Sequence, residues 1–255
     1  MPRADAPPQP RDNDRVSSKV LFLVNEHMAT EALLGDAFAE QGFDVDTFEV
    51  VPAERSDNPA GEVTFPEPDP YDVIVPLGAS WPVYDDALRR TWVGAEMQLL
   101  RDAADAGIAL LGVCFGGQIL AQTFGGTVSR SPRPEIGWYD VLSERPEVVP
   151  GGPWFQWHFD RWTLPPGATE IARTPNASQA FVLDRTLALQ FHPEVDTDLL
   201  KRWLAADRDG DIVAAGLDHD ELLTRTTELA EETAGRIRAL VRGFLTHVAG
   251  HSRPS

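Results

Sequence analysis

Cysteine is nearly absent from this chain of 255 residues: Cys114 is the only one, beside three methionines and three tyrosines. A single thiol cannot close an internal disulfide, so the fold does not depend on oxidation and a reducing cytoplasm is the expected location. Basic residues are scarce as well, with 22 Lys and Arg against 40 Asp and Glu, a formal net charge of -18. Nucleic acid and anionic membranes both attract a positive field, so neither is an expected partner. The acidity by itself reads as a solvated surface. No apolar stretch approaches the roughly 20 residues that span a bilayer. The opening "MPRADAPPQPRDNDRVSSK" lacks the apolar core of a secretory signal. Rich in Pro, Arg, Asp and Ser, residues 1–18 are expected to form a disordered tail, with 19–250 as one domain and 251–255 as a short second tail.

What the chain does have is enough apolar sequence, 42% of residues, for a substantial core at this length. "KVLFLV" (19–24) is a nearly continuous apolar run of β-formers, the pattern of a strand buried on both faces. "TEALLGDAFAEQG" follows as a helix with Leu33, Leu34, Ala37 and Phe38 on one side and Gly42 as its stop. "FDVDTFEV" alternates, as a strand near a sheet edge does. Five prolines mark 52–70 as a loop, "YDVIVPLG" is a third strand ending at Gly78, and 86–106 reads as one amphipathic helix with Leu88, Trp92, Met97, Leu99 and Leu100 facing the core. "IALLGVC" is a fourth strand. This alternation predicts an α/β fold with a mainly parallel central sheet and helices on both faces, and ligands at the carboxyl ends of the strands. After residue 125 the pieces "GGTVSR", "EIGWYDVLS", "PWFQWHFDRWTLP", "TEIARTP" and "ALQFHPE" predict an antiparallel excursion whose last strand rejoins the main sheet. Two helices close the chain, the second with Leu222, Leu229, Ile237, Leu240, Val241 and Phe244 as its buried stripe.

Cys114 sits where chemistry is expected. In "LLGVCFGGQIL" a strand ends at a small residue, a nucleophile follows, and glycines open a helix, which is the layout of a nucleophile elbow. The helix N-terminus favours a thiolate there. Against this stands the ordinary use of a lone cysteine as a small buried apolar group. A second element bears on the choice: "LALQFHPEVD" carries His192 and Glu194 two residues apart, on one face of an extended segment. Cys114, His192 and Glu194 can serve as nucleophile, general base and orienter.

"GVCFGGQ" followed 78 residues later by "FHPE" resembles the class I, or triad, glutamine amidotransferases. The resemblance runs from 19 to about 205. On "EIGWYDV" and "FQWHFDRWTLPPGA" the chain is similar to the stand-alone members related to the amidotransferase domain of GMP synthase. It implies a flavodoxin-like fold, attack of Cys114 on the side-chain amide of glutamine, protonation of the departing ammonia by His192, and Glu194 holding His192. Phe115 and the Gly78–Ala79 turn would supply the oxyanion-hole N–H groups. Gln118, Gly116, Trp157 and His158 would line or contact the substrate. Many relatives carry Gly-Gly-Pro where this chain reads "LGASWPVYDD"; a positive φ at Ala79 would strain that turn.

The remaining candidates have plainer readings. His158 in "FQWHFD" is either a substrate contact or a packed structural histidine, His27 lies in a loop, and His219, His247 and His251 read as surface residues. No metal site is expected, because His192 and Glu194 lack further ligands at a recognisable spacing; no cofactor is expected, and neither "GASWP" nor "FGGQ" is a phosphate loop. Trp138, Trp154, Trp157 and Trp162 are expected in core and pocket walls. The function so read is glutamine hydrolysis through a glutamyl thioester. The residues after 205 show no nucleotide-binding motif, so a separate synthetase subunit would accept the ammonia. Two alternatives stay open: a γ-glutamyl peptidase or hydrolase, for which Trp81 and Trp157 would make room, and a catalytically silent binding or regulatory subunit.

Overall fold

In the computed structural model, which describes residues 17–207 and 210–251, the run Val20–Val24 is buried residue after residue, because both faces of its strand are covered. This strand is β1 (Ser18–Val24). It pairs in parallel with β2 (Phe43–Glu49) on one side and β3 (Val73–Pro76) on the other; β4 (Ala109–Val113) continues the parallel set. β2 forms the sheet edge and alternates in burial as its sequence does. The expected N-terminal tail lies outside the described residues except Ser17, which is exposed, and Ser18, which opens β1; of the C-terminal tail only His251 is described.

Five further strands complete one nine-stranded sheet of order β2-β1-β3-β4-β9-β8-β7-β5-β6: β5 (Thr127–Ser143), β6 (Gly152–Thr163), β7 (Thr169–Arg173), β8 (Ser178–Leu183) and β9 (Thr186–Leu189). β9 returns parallel to β4, as expected, while β5 through β8 are antiparallel to their neighbours. Two sequence pieces, "GGTVSR" and "EIGWYDVLS", prove to be one strand whose register shifts between Arg130 and Glu135. Prolines 132 and 134 fall in that shift, where a missing N–H costs no ladder bond. β8, "SQAFVL", had no place in the sequence reading.

Side chains from β1 and β3 divide between two cores. Val20, Phe22, Val73 and Val75 pack with α1 (Ala32–Glu40) and α7 (His219–His247). Leu21, Leu23 and Ile74 pack with α3 (Trp92–Asp105) and α4 (Phe115–Thr123). A third cluster joins β5 and β6 to α5 (Thr197–Ala206), the short α6 (Asp211–Ala214) and the start of α7. All six residues expected on the α7 stripe are buried. The single helix expected over 86–106 is two, α2 (Asp86–Arg89) and α3, broken at Thr91. The Thr91 hydroxyl donates to the carbonyls of Ala87 and Leu88, and Gly94 is packed so closely on the Arg89 carbonyl that a Cβ would lie 2.4 Å from it.

Candidate active site

Cys114 occupies the single residue between β4 and α4, with φ 51° and ψ -108°. A non-glycine residue there is strained by about 1–3 kcal/mol and persists only where its surroundings fix it. They do so here. Its N–H donates to the Leu189 carbonyl at 2.8 Å and its carbonyl accepts from Gln118 N at 2.9 Å. Behind it the helix lies hard against the sheet: a Cβ on Gly116 would stand 1.9 Å from the Pro76 carbonyl oxygen, and one on Gly117 would stand 2.5 Å from that of Leu189. The glycines of "GVCFGGQ" are therefore required by close approach as much as by the turn.

His192 reaches the thiol from the far end of β9. The strand stops at Leu189, so His192 and Glu194 do not share a strand face as their spacing suggested. They meet across a turn. One bridge anchors it, from His192 N to the Phe155 carbonyl at 2.8 Å, and the imidazole Nδ1–H then donates to Glu194 Oε1 at 2.7 Å. Glu194 and His192 are almost fully buried. Burial opposes charge on the ring, but Glu194 and then Cys114 outweigh it and hold the His192 pKa well above its usual value. Nε2 forms no hydrogen bond of ordinary geometry within the protein. A Cβ placed on Gly78 would be 3.2 Å from His192 Cε1 and 3.9 Å from Cys114 Cβ, so the turn after β3, the imidazole and the nucleophile surround one point.

A nucleophile on a strained elbow, an imidazole beside it and a buried carboxylate behind the imidazole are the parts of acyl transfer. The sequence pattern agrees with that geometry, since the family model for glutamine amidotransferase class-I matches residues 24–207. The chain belongs to the class-I glutamine amidotransferases. A glutamine-hydrolyzing GMP synthase from Nitrosomonas eutropha is 34% identical over 156 residues, covering 54% of this chain and 29% of the synthase. The amidotransferase thus spans less than a third of that relative's length. The crystal structure of a glutamine amidotransferase from Thermotoga maritima superposes with a TM-score of 0.75 at 27% identity, over 89% of this chain and 98% of that one. One from Methylobacillus flagellatus, 21% identical with a TM-score of 0.76, covers 94% and 97% and shares the fold.

In this amidotransferase the Gly78–Ala79 turn is unstrained, since neither residue has a positive φ. The turn is fixed from outside: Ser80 N–H and its hydroxyl donate to the two carboxylate oxygens of Glu26, at 2.8 and 3.0 Å. The carbonyl of Leu77 accepts from Asn25 Nδ2, which also donates to Glu96 Oε1. Glu96 lies on the buried side of α3, and burial pushes its pKa up to about 8 against the smaller pull of Asn25. Phe115, the first residue of α4, has no intrahelical acceptor for its N–H.

Strand alternation separates the other candidates. Trp157 faces the nucleophile, with its carbonyl 3.9 Å from Cys114 Sγ. Its neighbour His158 points the opposite way, buried between Glu135 Oε2 at 3.0 Å and the Asp160 carbonyl at 2.9 Å, and does not line the cavity. Gln118 is also buried, its amide donating to Gln190 Oε1 at 3.3 Å. Gln190 in turn donates to Cys114 Sγ at 3.8 Å. Gln190 is not among the candidates the sequence pattern singles out, although a polar side chain inside "LALQF" is the visible sign of a buried partner. Nor are Glu26 and Trp203, which, with His27, line a cavity of about 490 Å³ over Cys114. His251 is not a simple surface residue: its ring packs on Phe43 and its Nε2 lies 3.6 Å from Asp72.

Proposed function

We propose that this chain hydrolyses the γ-amide of glutamine through a thioester on Cys114, and that it releases the ammonia to a separate acceptor enzyme. The supporting observation is the Cys114 elbow facing an imidazole that is itself held by Glu194 at 2.7 Å. The Cys114 thiolate adds to the amide carbon. The oxyanion that forms takes hydrogen bonds from Phe115 N–H and from the Gly78–Ala79 turn, each contributing about 3–4 kcal/mol to the transition state. As the C–N bond breaks, His192 gives its Nε2 proton to the leaving nitrogen. Water then attacks the thioester while His192 takes its proton, and glutamate leaves as Cys114 recovers its thiolate.

The test is covalent labelling by a diazo-ketone analogue of glutamine, read by intact mass. Wild type gains one adduct that glutamine suppresses; Cys114→Ala gains none. An adduct that survives Cys114→Ala refutes the assignment. Co-purification with an ATP-using enzyme supports the acceptor. A second reading, hydrolysis of γ-glutamyl amides larger than glutamine, is favoured by the cavity, whose volume of about 490 Å³ lies in the range of sites for molecules larger than an amino acid.

A further inference from the structure

Apart from its histidines, the charged side chains that line this cavity are all acidic, and the charge on His192 is balanced by Glu194 and Cys114. Glu26, Asp57 and Asp207 line it; among the described residues none of them forms an ion pair, and the described lining residues include no lysine or arginine. The partners that hold these carboxylates are neutral. Ser80 satisfies Glu26, and the N–H groups of Asp211 and Ile212 satisfy Asp207, so among the described residues no cation compensates these charges. Trp81, Trp157 and Trp203 supply the apolar surface, with Trp203 edge-on to His192 at 5.0 Å between ring centroids. At the inner end His192, 6% exposed, lines the same space beside Cys114, with its buried Nε2 in no hydrogen bond of ordinary geometry. Aromatic faces beside uncompensated carboxylates select ammonium groups, through cation–π attraction and direct Coulomb attraction in a partly desolvated cleft.

We propose that the cavity takes γ-glutamyl amides whose leaving amine carries a second, positively charged group, an inference that rests on the thioester chemistry of Cys114. The reaction balances as for glutamine. Cys114 Sγ bonds to the γ-carbonyl carbon, the C–N bond breaks, and the amine leaves with the His192 proton. Water then releases glutamate and restores the thiolate. The distal ammonium remains charged throughout and lies against the tryptophan and carboxylate wall. An anionic leaving group meets repulsion there, and an uncharged one meets only the apolar surface.

The experiment compares kcat/KM for L-glutamine and for γ-glutamyl amides of butylamine, diaminobutane and aminobutyrate, in wild type and in Asp57→Asn with Asp207→Asn. Asparagine keeps one oxygen acceptor, so the second substitution removes the charge and retains one of the two hydrogen bonds that Asp207 accepts from the start of α6. The diaminobutane amide is expected to exceed the butylamine amide by about tenfold, with the aminobutyrate amide lowest. That preference is expected to shrink about threefold or more in the double variant, and to fall with added salt. A ratio at or below one, or one that neither the substitutions nor salt change, overturns the proposal. If glutamine is still turned over and Cys114 still labels, that result leaves the glutaminase reading standing. Failure to label and to turn over any substrate overturns both.

Discussion

At the scale of single residues, the site depends on charges that burial would normally suppress. His192 keeps its proton because Glu194 and Cys114 surround it, so the alkaline limb of kcat/KM reports loss of that proton at a pH well above the ordinary imidazole range. Glu194→Gln is expected to move the limb to lower pH and to cut kcat by about 10²–10⁴-fold; an unmoved limb in pH-rate profiles would refute the role of Glu194. The same shift contributes stability: a pKa raised by folding stabilises fully below the unfolded value and stops doing so as pH rises through the folded one. Glu96 is a carboxyl that burial keeps protonated. Its pKa rises from 4.5 to about 8, so its favourable contribution is complete below 4.5 and is lost as pH climbs toward 8, when the unfolded chain alone ionises readily. Glu96→Gln copies the protonated form and still accepts from Asn25. The Tm of this variant minus that of wild type is expected to grow steadily over that window, and a pH-independent difference in thermal melts would show that Glu96 is ionised in the fold.

At the scale of elements, the elbow works because α4 lies directly on β3 and β9. Gly116→Ala places a methyl group 1.9 Å from the Pro76 carbonyl, a backbone atom that cannot swing aside. Overpacking of this kind costs about 1–3 kcal/mol or more. The helix must lift, carrying Phe115 and Cys114 with it; a lower Tm and slower labelling of Cys114 are expected together, and a variant with wild-type labelling would show that the elbow tolerates the shift. This junction was legible in the sequence because its signals are local: an apolar run, a nucleophile and three small residues. So were the parallel strands and the face of α7, where period and burial agree over many residues. Features that depend on distant partners were not legible. His192 and Glu194 were paired on strand geometry, yet they meet because a bridge to Phe155 turns the chain after Leu189. β8 is short and weakly patterned and exists because β7 and β9 flank it. The break at Thr91 comes from a hydroxyl competing with the helix, a local effect that a single continuous apolar stripe conceals.

At the scale of the molecule, the C-terminal helix ties the ends of the described chain together. Ile237, Leu240, Val241 and Phe244 of α7 pack in the same core as Val20 and Phe22 of β1 and Phe38 of α1, and Phe38 meets Phe244 edge to face at 6.4 Å. The opposite core carries α3 and α4, and Cys114 belongs to the α7 side. Loosening α7 therefore loosens the layer beneath the nucleophile, although α7 contributes no residue to the cavity lining. Leu240, fully buried, is the position at which to ask whether residues 19–250 unfold as one unit. Leu240→Ala is expected to cost about 2–5 kcal/mol, which for a chain of this size lowers Tm by roughly 5–15 °C. If the unit is single, near-ultraviolet circular dichroism, the helical signal and labelling of Cys114 by the diazo-ketone are lost in one transition at the lowered temperature, because the core that Leu240 supports also holds the elbow. If α7 instead melts by itself, the helical signal falls first while Cys114 still labels, and α7 is an appendage that packs on an independently stable amidotransferase core.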